Sequence, residues 1–277
     1  MMNQRYETGL KHLKEIDQEA GEKVLDSLQE VSPDLANYII EYAFGDVYNR
    51  SELALKSKEL VVVAALTALG NAEPQLKVHI HGALNVGCNW IEIQEVILQM
   101  SAYSGFPSAI NAMLALKEVL ADRRLEGKNV EGINAEGKEN EASWAQPSSV
   151  PQGLTRYEWG AKHLTRLNPN QVNALEETFQ NISPDLARLV IEYGFADVFS
   201  RPALDAKHRE MATIAALTAL GTASSQLIFH IKAGLNIGLS QAEIREIMIL
   251  MSVYSGFPSA INGTLALKEV LNDQSTD

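Results

Sequence analysis

"QLKVHIHGALNVG" occupies residues 75–87, and "QLIFHIKAGLNIG" occupies residues 226–238, 151 positions later. Each stretch reads as one amphipathic helix. Leu76, Ile80, Ala83 and Leu84 recur at helical spacing on one face, and a glycine ends the pattern. Each also carries a histidine at the edge of the apolar stripe, His79 in the first and His230 in the second. The same offset lays "RYETGLKHL" on "RYEWGAKHL" and "SPDLANYIIEYAFGDVYNR" on "SPDLARLVIEYGFADVFSR". It also lays "AALTALG" and "YSGFPSAIN" on identical copies of themselves, and it holds without a gap from Arg5 to Leu120. A repeat of this length is a duplicated domain, not a short solenoid unit. One domain is therefore expected over residues 1–121 and a second over 154–277. The stretch between them, 122–153, is rich in Gly, Asn, Glu, Ser and Pro without apolar periodicity and reads as an exposed linker.

Nearly every segment within a copy reads as helix. Ser32 suits an N-cap, Pro33 the first helical position, and Asp34 adds negative charge to the first turn. Asn89 with Glu92, and Ser240 with Glu243, have the spacing of a capping box. Gly70, Gly87 and Gly105 follow apolar runs, where a C-terminal cap is expected. No stretch alternates with period two long enough for a strand, so the fold class is all-α with six or seven helices per copy. The run from Leu60 to Leu69 is apolar all round and must be buried on every face. It is either the centre of a monomeric bundle or, in a domain of this size, a contact with further copies.

Composition narrows the function. A hydrophobic fraction of 46% with 21% charged residues is globular, and a formal charge of -12 argues against nucleic acid or an anionic membrane as partner. A small anionic substrate would need a local cation. Cys88 is the single cysteine, the start of the chain lacks an apolar signal core, and the longest apolar run is too short to span a bilayer. A cytoplasmic protein is the simplest expectation.

Several polar residues recur at the offset of 151. Asp34, Glu92 and Glu95 are expected near helix N-termini as capping or dipole acids, and Arg5 with Glu7 as a solvated pair. His79 and His230 read in two ways, as satisfied core residues or as general acid–base groups. Glu59 and Glu210, near the start of the preceding helix, are candidates to orient them or share a proton with them, a contact that sequence alone does not show. Tyr103 and Tyr254 precede a Gly-Phe-Pro break that forms either a structural corner or a pocket wall. His12 and His163 read as structural. Metal-ligand spacing is missing, since no HxxxH or HExxH occurs and the His79–His81 pair becomes His230–Lys232.

The order of these segments, and above all H-x-x-x-A-L-x-x-G at 79–87 and Y-x-G-x-P at 103–107, resembles the carboxymuconolactone decarboxylase family over almost all of both halves. The resemblance implies a tandem duplication of an alkylhydroperoxidase D-like helical domain. The family usually forms rings of six single domains, so a double-length chain is expected to assemble as a trimer, a pseudo-hexamer, or to stay smaller. One branch reduces peroxides with a Cys-x-x-Cys pair; those positions read Ala72 and Gln75, then Ala223 and Gln226, which leaves no thiols for disulfide chemistry. Cys88 stands elsewhere, opposite Leu239.

The other branch decarboxylates a small carboxylated lactone without metal or organic cofactor. By that resemblance His79 and His230 are the proton donors and Glu59 and Glu210 support them, with Gln75 and Gln226 near the substrate beside Tyr103 and Tyr254. Arg50 and Arg201 suit the substrate carboxylate, because a guanidinium binds carboxylates bidentately. Ser104 and Ser255 stand where that branch often carries a pocket cysteine. The remaining readings are a thiol-based antioxidant protein and a non-catalytic oligomeric scaffold.

Overall fold

A computed structural model describes residues 4–127 and 149–274, and among them there are helices and no strands. The first half runs α1 (Gln4–Gln29), α2 (Pro33–Tyr38), a π-helical segment π1 (Ile39–Val47), α3 (Leu55–Leu69), α4 (Glu73–Asn85), α5 (Trp90–Met100) and α6 (Phe106–Leu125). The second half repeats it as α7 (Arg156–Leu167), α8 (Gln171–Phe179), α9 (Pro184–Leu189), π2 (Val190–Phe199), α10 (Ala206–Leu220), α11 (Ser224–Asn236), α12 (Gln241–Tyr254) and α13 (Phe257–Gln274). The α6 helix continues past the expected boundary at 121, and most of the expected linker, 128–148, lies outside the described residues.

Local chemistry explains several of the helix ends. Asn89 and Glu92 form the expected capping box, each side chain accepting the other residue's backbone N–H at 2.9 Å, and Ser240 with Glu243 form another. Gly70 closes α3 in the left-handed conformation at φ 67°. Gly105, expected as a C-cap, instead sits at φ 86° as the N-cap residue of α6. Ser32 makes no side-chain cap bond, so α2 starts on the fixed φ of Pro33 alone. The halves differ at their start. Where α1 is continuous, "RLNPNQ" puts Pro169 after Asn168, whose backbone is extended, and the chain breaks into α7 and α8.

The stretch read as a single helix from Ser32 widens into a π-helix in both copies. Helix α1 packs along π1, and α7 along π2, at glycines. A Cβ on Gly9 would lie 2.0 Å from the Ile40 carbonyl oxygen, and one on Gly160 would lie 2.1 Å from that of Ile191. Arg5, expected to pair with Glu7, instead clamps π1 through a two-pronged contact with Asp46 and a longer one to Glu41. Arg156 repeats this with Asp197 and Glu192.

The halves share one core. Helix α3 is buried along its length because α10, its own counterpart, lies against it, and the largest buried apolar cluster runs from Leu13 to Val270 through both copies. The relation is a pseudo-twofold. Ser57 and His208 are the same position in the two copies, and they touch at 3.1 Å. Tyr42 bonds Ser252 at 2.5 Å while Tyr193 bonds Ser101 at 2.6 Å, again one contact made twice. A self-complementary interface of this kind is what a homodimer makes, written here inside one chain.

Candidate active site

Helix α4 carries His79 and helix α3 carries Glu59, both facing the core, with His79 6% and Glu59 0% exposed. The imidazole Nδ1 lies 2.8 Å from Glu59 Oε2. The carboxylate only accepts, so Nδ1 carries the hydrogen and Nε2 is left to give or take a proton. Gly82 makes room for this pair: a Cβ there would stand 2.9 Å from Glu59 Oε2. Tyr48, at the C-terminal end of π1, donates from its hydroxyl to the other carboxylate oxygen, Glu59 Oε1, at 2.8 Å. Its single hydrogen is thereby used, so the Tyr254 hydroxyl, 2.8 Å away, donates to Tyr48. Burial, and then the charge of Glu59, push both phenols well above their ordinary range, which keeps them as donors.

Tyr254 belongs to the second half. Its ring meets His79 edge-on with centroids 4.9 Å apart. The reciprocal holds around His230, whose Nδ1 lies 2.8 Å from Glu210 Oε2 and whose ring meets Tyr103 of the first half at 5.3 Å. Each site is thus built from both halves. Sequence reading singled out the histidines, glutamates and tyrosines, but the fold pairs each tyrosine with the histidine of the other copy. Sequence reading missed Tyr48, whose signal was the one aromatic difference between "DVYNR" and "DVFSR".

The arginines expected to hold a substrate carboxylate have other partners. Arg50 Nε lies 3.1 Å from Glu246, and Arg201 bonds Glu95 at 2.7 Å. Each pair crosses between the halves. Glu95, expected as a capping acid, and its counterpart Glu246 are 0% and 1% exposed and anchor these clusters, with Arg209 at 2.6 Å from Glu95 and Lys58 at 3.1 Å from Glu246. A carboxylate this deep has to be matched by fixed cations, and both arginines contribute to that match, Arg50 from a side chain that is still 41% exposed. Gln75 and Gln226 are solvent-exposed in the first turns of α4 and α11, one turn before the histidines. Ser104 and Ser255 bond back to the carbonyls of Met100 and Met251.

The second half has a cavity of about 340 Å³ between α10, α11 and α13, lined among others by Thr218, Ser224, Ser259 and Asn262. Its counterpart, near Thr67, Ser108 and Asn111, is only about 40 Å³. Lys77 bridges Glu73 and Glu118 beside the smaller one, while Ile228, Ser224 and Glu269 stand at those positions in the second half and Gly263 replaces Ala112. Neither cavity is lined by His79 or His230. Cys88 is buried, and burial pushes its thiol up to about 12, so it is protonated at neutral pH and unsuited to attack a peroxide. No cluster of metal-ligating side chains occurs among the described residues, and no helix there is long and apolar enough to cross a membrane.

The chain is similar in sequence to several known proteins. The 4-carboxymuconolactone decarboxylase of Acinetobacter baylyi is 36% identical over 123 residues, which is 43% of this chain and 89% of that protein. An uncharacterized 15.0 kDa protein of Paracoccus denitrificans is 33% identical over 97 residues, 35% of this chain and 72% of its own. A nitrosuccinic acid decarboxylase of Metarhizium robertsii is 29% identical over 102 residues, 36% of this chain and 71% of its own. Two of these three relatives carry decarboxylase names. The family profile described as "Carboxymuconolactone decarboxylase family" matches residues 33–118 and again 184–269, more than half of the chain. With that double match on a fold that twice pairs a buried histidine with a glutamate, the chain is a tandem two-domain member of the carboxymuconolactone decarboxylase family.

Proposed function

We propose that this protein is a cofactor-independent decarboxylase acting on a small carboxylated lactone, with histidine as the general acid. The observation that carries the reading is the buried His79–Glu59 pair, closed by a tyrosine from the opposite half and repeated around His230. The similarity to 4-carboxymuconolactone decarboxylase over most of that protein's length supports it. Breaking the bond to the carboxyl group leaves its electron pair on the conjugated lactone as an extended dienolate, and CO2 departs. The site must then stabilise that anion and protonate carbon. Glu59 fixes the ring so that a protonated imidazole presents Nε2–H to the dienolate, and the proton passes to carbon as the imidazole becomes neutral. The Tyr48 and Tyr254 hydroxyls hold Glu59 in the acceptor orientation this requires.

Arg50 and Arg201 are held by buried glutamates and, in this reading, do not pair with the carboxyl group that departs. That suits a group which has to leave as neutral CO2, because a strong ion pair would stabilise the starting carboxylate more than the transition state. The test is decarboxylation of 4-carboxymuconolactone by the purified chain. The His79→Ala, His230→Ala double variant is expected to lower kcat by about 10²–10⁴-fold with its helical circular dichroism retained. Unchanged turnover in a folded double variant would take histidine out of the mechanism.

A further inference from the structure

The two sites of one chain differ at two aromatic positions: Val78 is Phe229, which packs edge-on against His230 at 4.8 Å, and a second change alters the hydrogen bonds. Tyr48 of the first site is Phe199 in the second. In the first site, the Tyr48 hydroxyl satisfies Glu59 Oε1 and takes up the hydroxyl of Tyr254. No hydrogen bond to Nε2 of His79 occurs among the described residues, so that nitrogen has no protein partner for a substrate to displace. In the second site, Phe199 offers neither donor nor acceptor. Glu210 Oε1 is buried with no hydrogen-bond partner, and the Tyr103 hydroxyl lies 3.2 Å from Nε2 of His230. Since Nδ1 holds the hydrogen shared with Glu210, Nε2 of the neutral ring accepts from Tyr103.

We infer that the His79 site is the working site and that the His230 site is held latent by Tyr103, with the residue at Tyr48 or Phe199 deciding between the two states. This rests on the decarboxylase reading above. A substrate at the second site has to displace the Tyr103 hydroxyl from the nitrogen it needs, and the displaced hydroxyl has no Tyr48 oxygen to accept it, only the Thr213 hydroxyl that stands where the first site has Val62. The second carboxylate also lacks the donor that fixes the first, and buried polar atoms left without partners are the exception in folded chains. Tyr48 is accordingly a positioning residue. It touches Glu59 and Tyr254, and it acts on the reaction by leaving Nε2 of His79 open.

The two halves of this inference are tested separately. In ¹⁵N-histidine NMR of the whole chain, Tyr103→Phe is expected to move the Nε2 resonance of His230. Tyr254→Phe should leave that of His79 nearly in place, and Phe199→Tyr should bring the His230 signal towards that of His79. A His230 signal indifferent to Tyr103→Phe overturns the latent state. With 4-carboxymuconolactone, His79→Gln is expected to lower turnover by about tenfold or more, and adding Phe199→Tyr to it should recover activity several-fold. Tyr48→Phe should reduce kcat with little change in KM, as a lost positioning contact would and a general loosening of the pocket would not. Roughly half the turnover remaining in His79→Gln, or no gain from Phe199→Tyr, sinks the inequality of the sites while leaving the decarboxylase reading intact. A wild-type chain inert towards this lactone sinks the substrate instead, and the resonances alone then decide whether Tyr103 closes the second site.

Discussion

At the scale of single residues, the same side chain takes on different chemistry according to what the fold sets beside it. His79 and His12 are both histidines in helices, yet one faces a buried carboxylate while the other bridges Glu15 and Asn49 near the surface. His163, the counterpart of His12, has lost such partners. Its Nε2 is buried without a hydrogen bond, and its ring packs edge-on against Trp159 at 4.5 Å. Burial first, then the charges of Arg166, Lys162 and Arg209, push its pKa down to about 4. The unfolded chain, with an ordinary histidine near 6.5, therefore binds a proton that the native chain refuses between these values. The His163 contribution is fully present above pH 6.5 and is lost as the pH falls towards 4. Denaturant titrations of wild type and His163→Gln should diverge across that window and run parallel above pH 7. Parallel curves throughout would show that His163 does not titrate as its surroundings dictate.

Single helices explain how these residues reach the site. The π1 segment adds a residue to each turn, ends at Tyr48, and lets α1 approach at Gly9 until a Cβ would strike the Ile40 carbonyl. A run of nine π-helical residues is rare, and "IIEYAFGDV" has the apolar spacing of any buried helix, so the widening was not legible. The same limit applies to α5. Glu95 sits in a helix whose N-terminus does carry a capping acid, Glu92, and nothing local separates that half-buried acid from the fully buried one. The difference is tertiary, because Arg209 and Arg201 come from the other half. Glu95→Ala leaves Arg209 buried without its counter-charge and is expected to destabilise the chain by about 3–5 kcal/mol in urea unfolding. A loss below about 1 kcal/mol, the range of a surface pair, would show the cluster to be solvated.

The whole molecule is a dimer-like body in one chain, and its sites exist only because of that. Since α3 is covered by α10, a chain cut to residues 1–127 would expose a helix that is apolar all round. Such a fragment is expected to pair with itself or aggregate, not run as a monomer in size-exclusion chromatography; a well-folded monomeric fragment would show that the halves need no partner. Apolar side chains remain outside. Phe106, Ile110 and Leu114 are more than half exposed along α6, and Phe257, Ile261 and Leu265 repeat them along α13. Two matching stripes on one body suit a closed ring. We propose that three chains associate through them, so sedimentation should give a trimer, and Ile110→Glu with Ile261→Glu should shift it to the monomer.

The sequence by itself determined the helical class, the duplication and the two capping boxes, and it offered each glutamate as a candidate partner for its histidine; the contact itself is tertiary. These readings follow from periodicity, from end chemistry, and from comparing one half of the chain with the other. It singled out the histidines, glutamates and tyrosines of the two sites but not Tyr48, whose change to Phe199 carries no meaning until its neighbours are known. Only the tertiary structure decided which tyrosine serves which histidine, that Arg50 and Arg201 are held by Glu246 and Glu95, and that the two sites order their hydrogen bonds differently. The physical reason is common to all three. Periodicity reports which face of a helix is buried, but burial does not name the partner, and here the partners stand more than a hundred residues away on the other copy of the same fold.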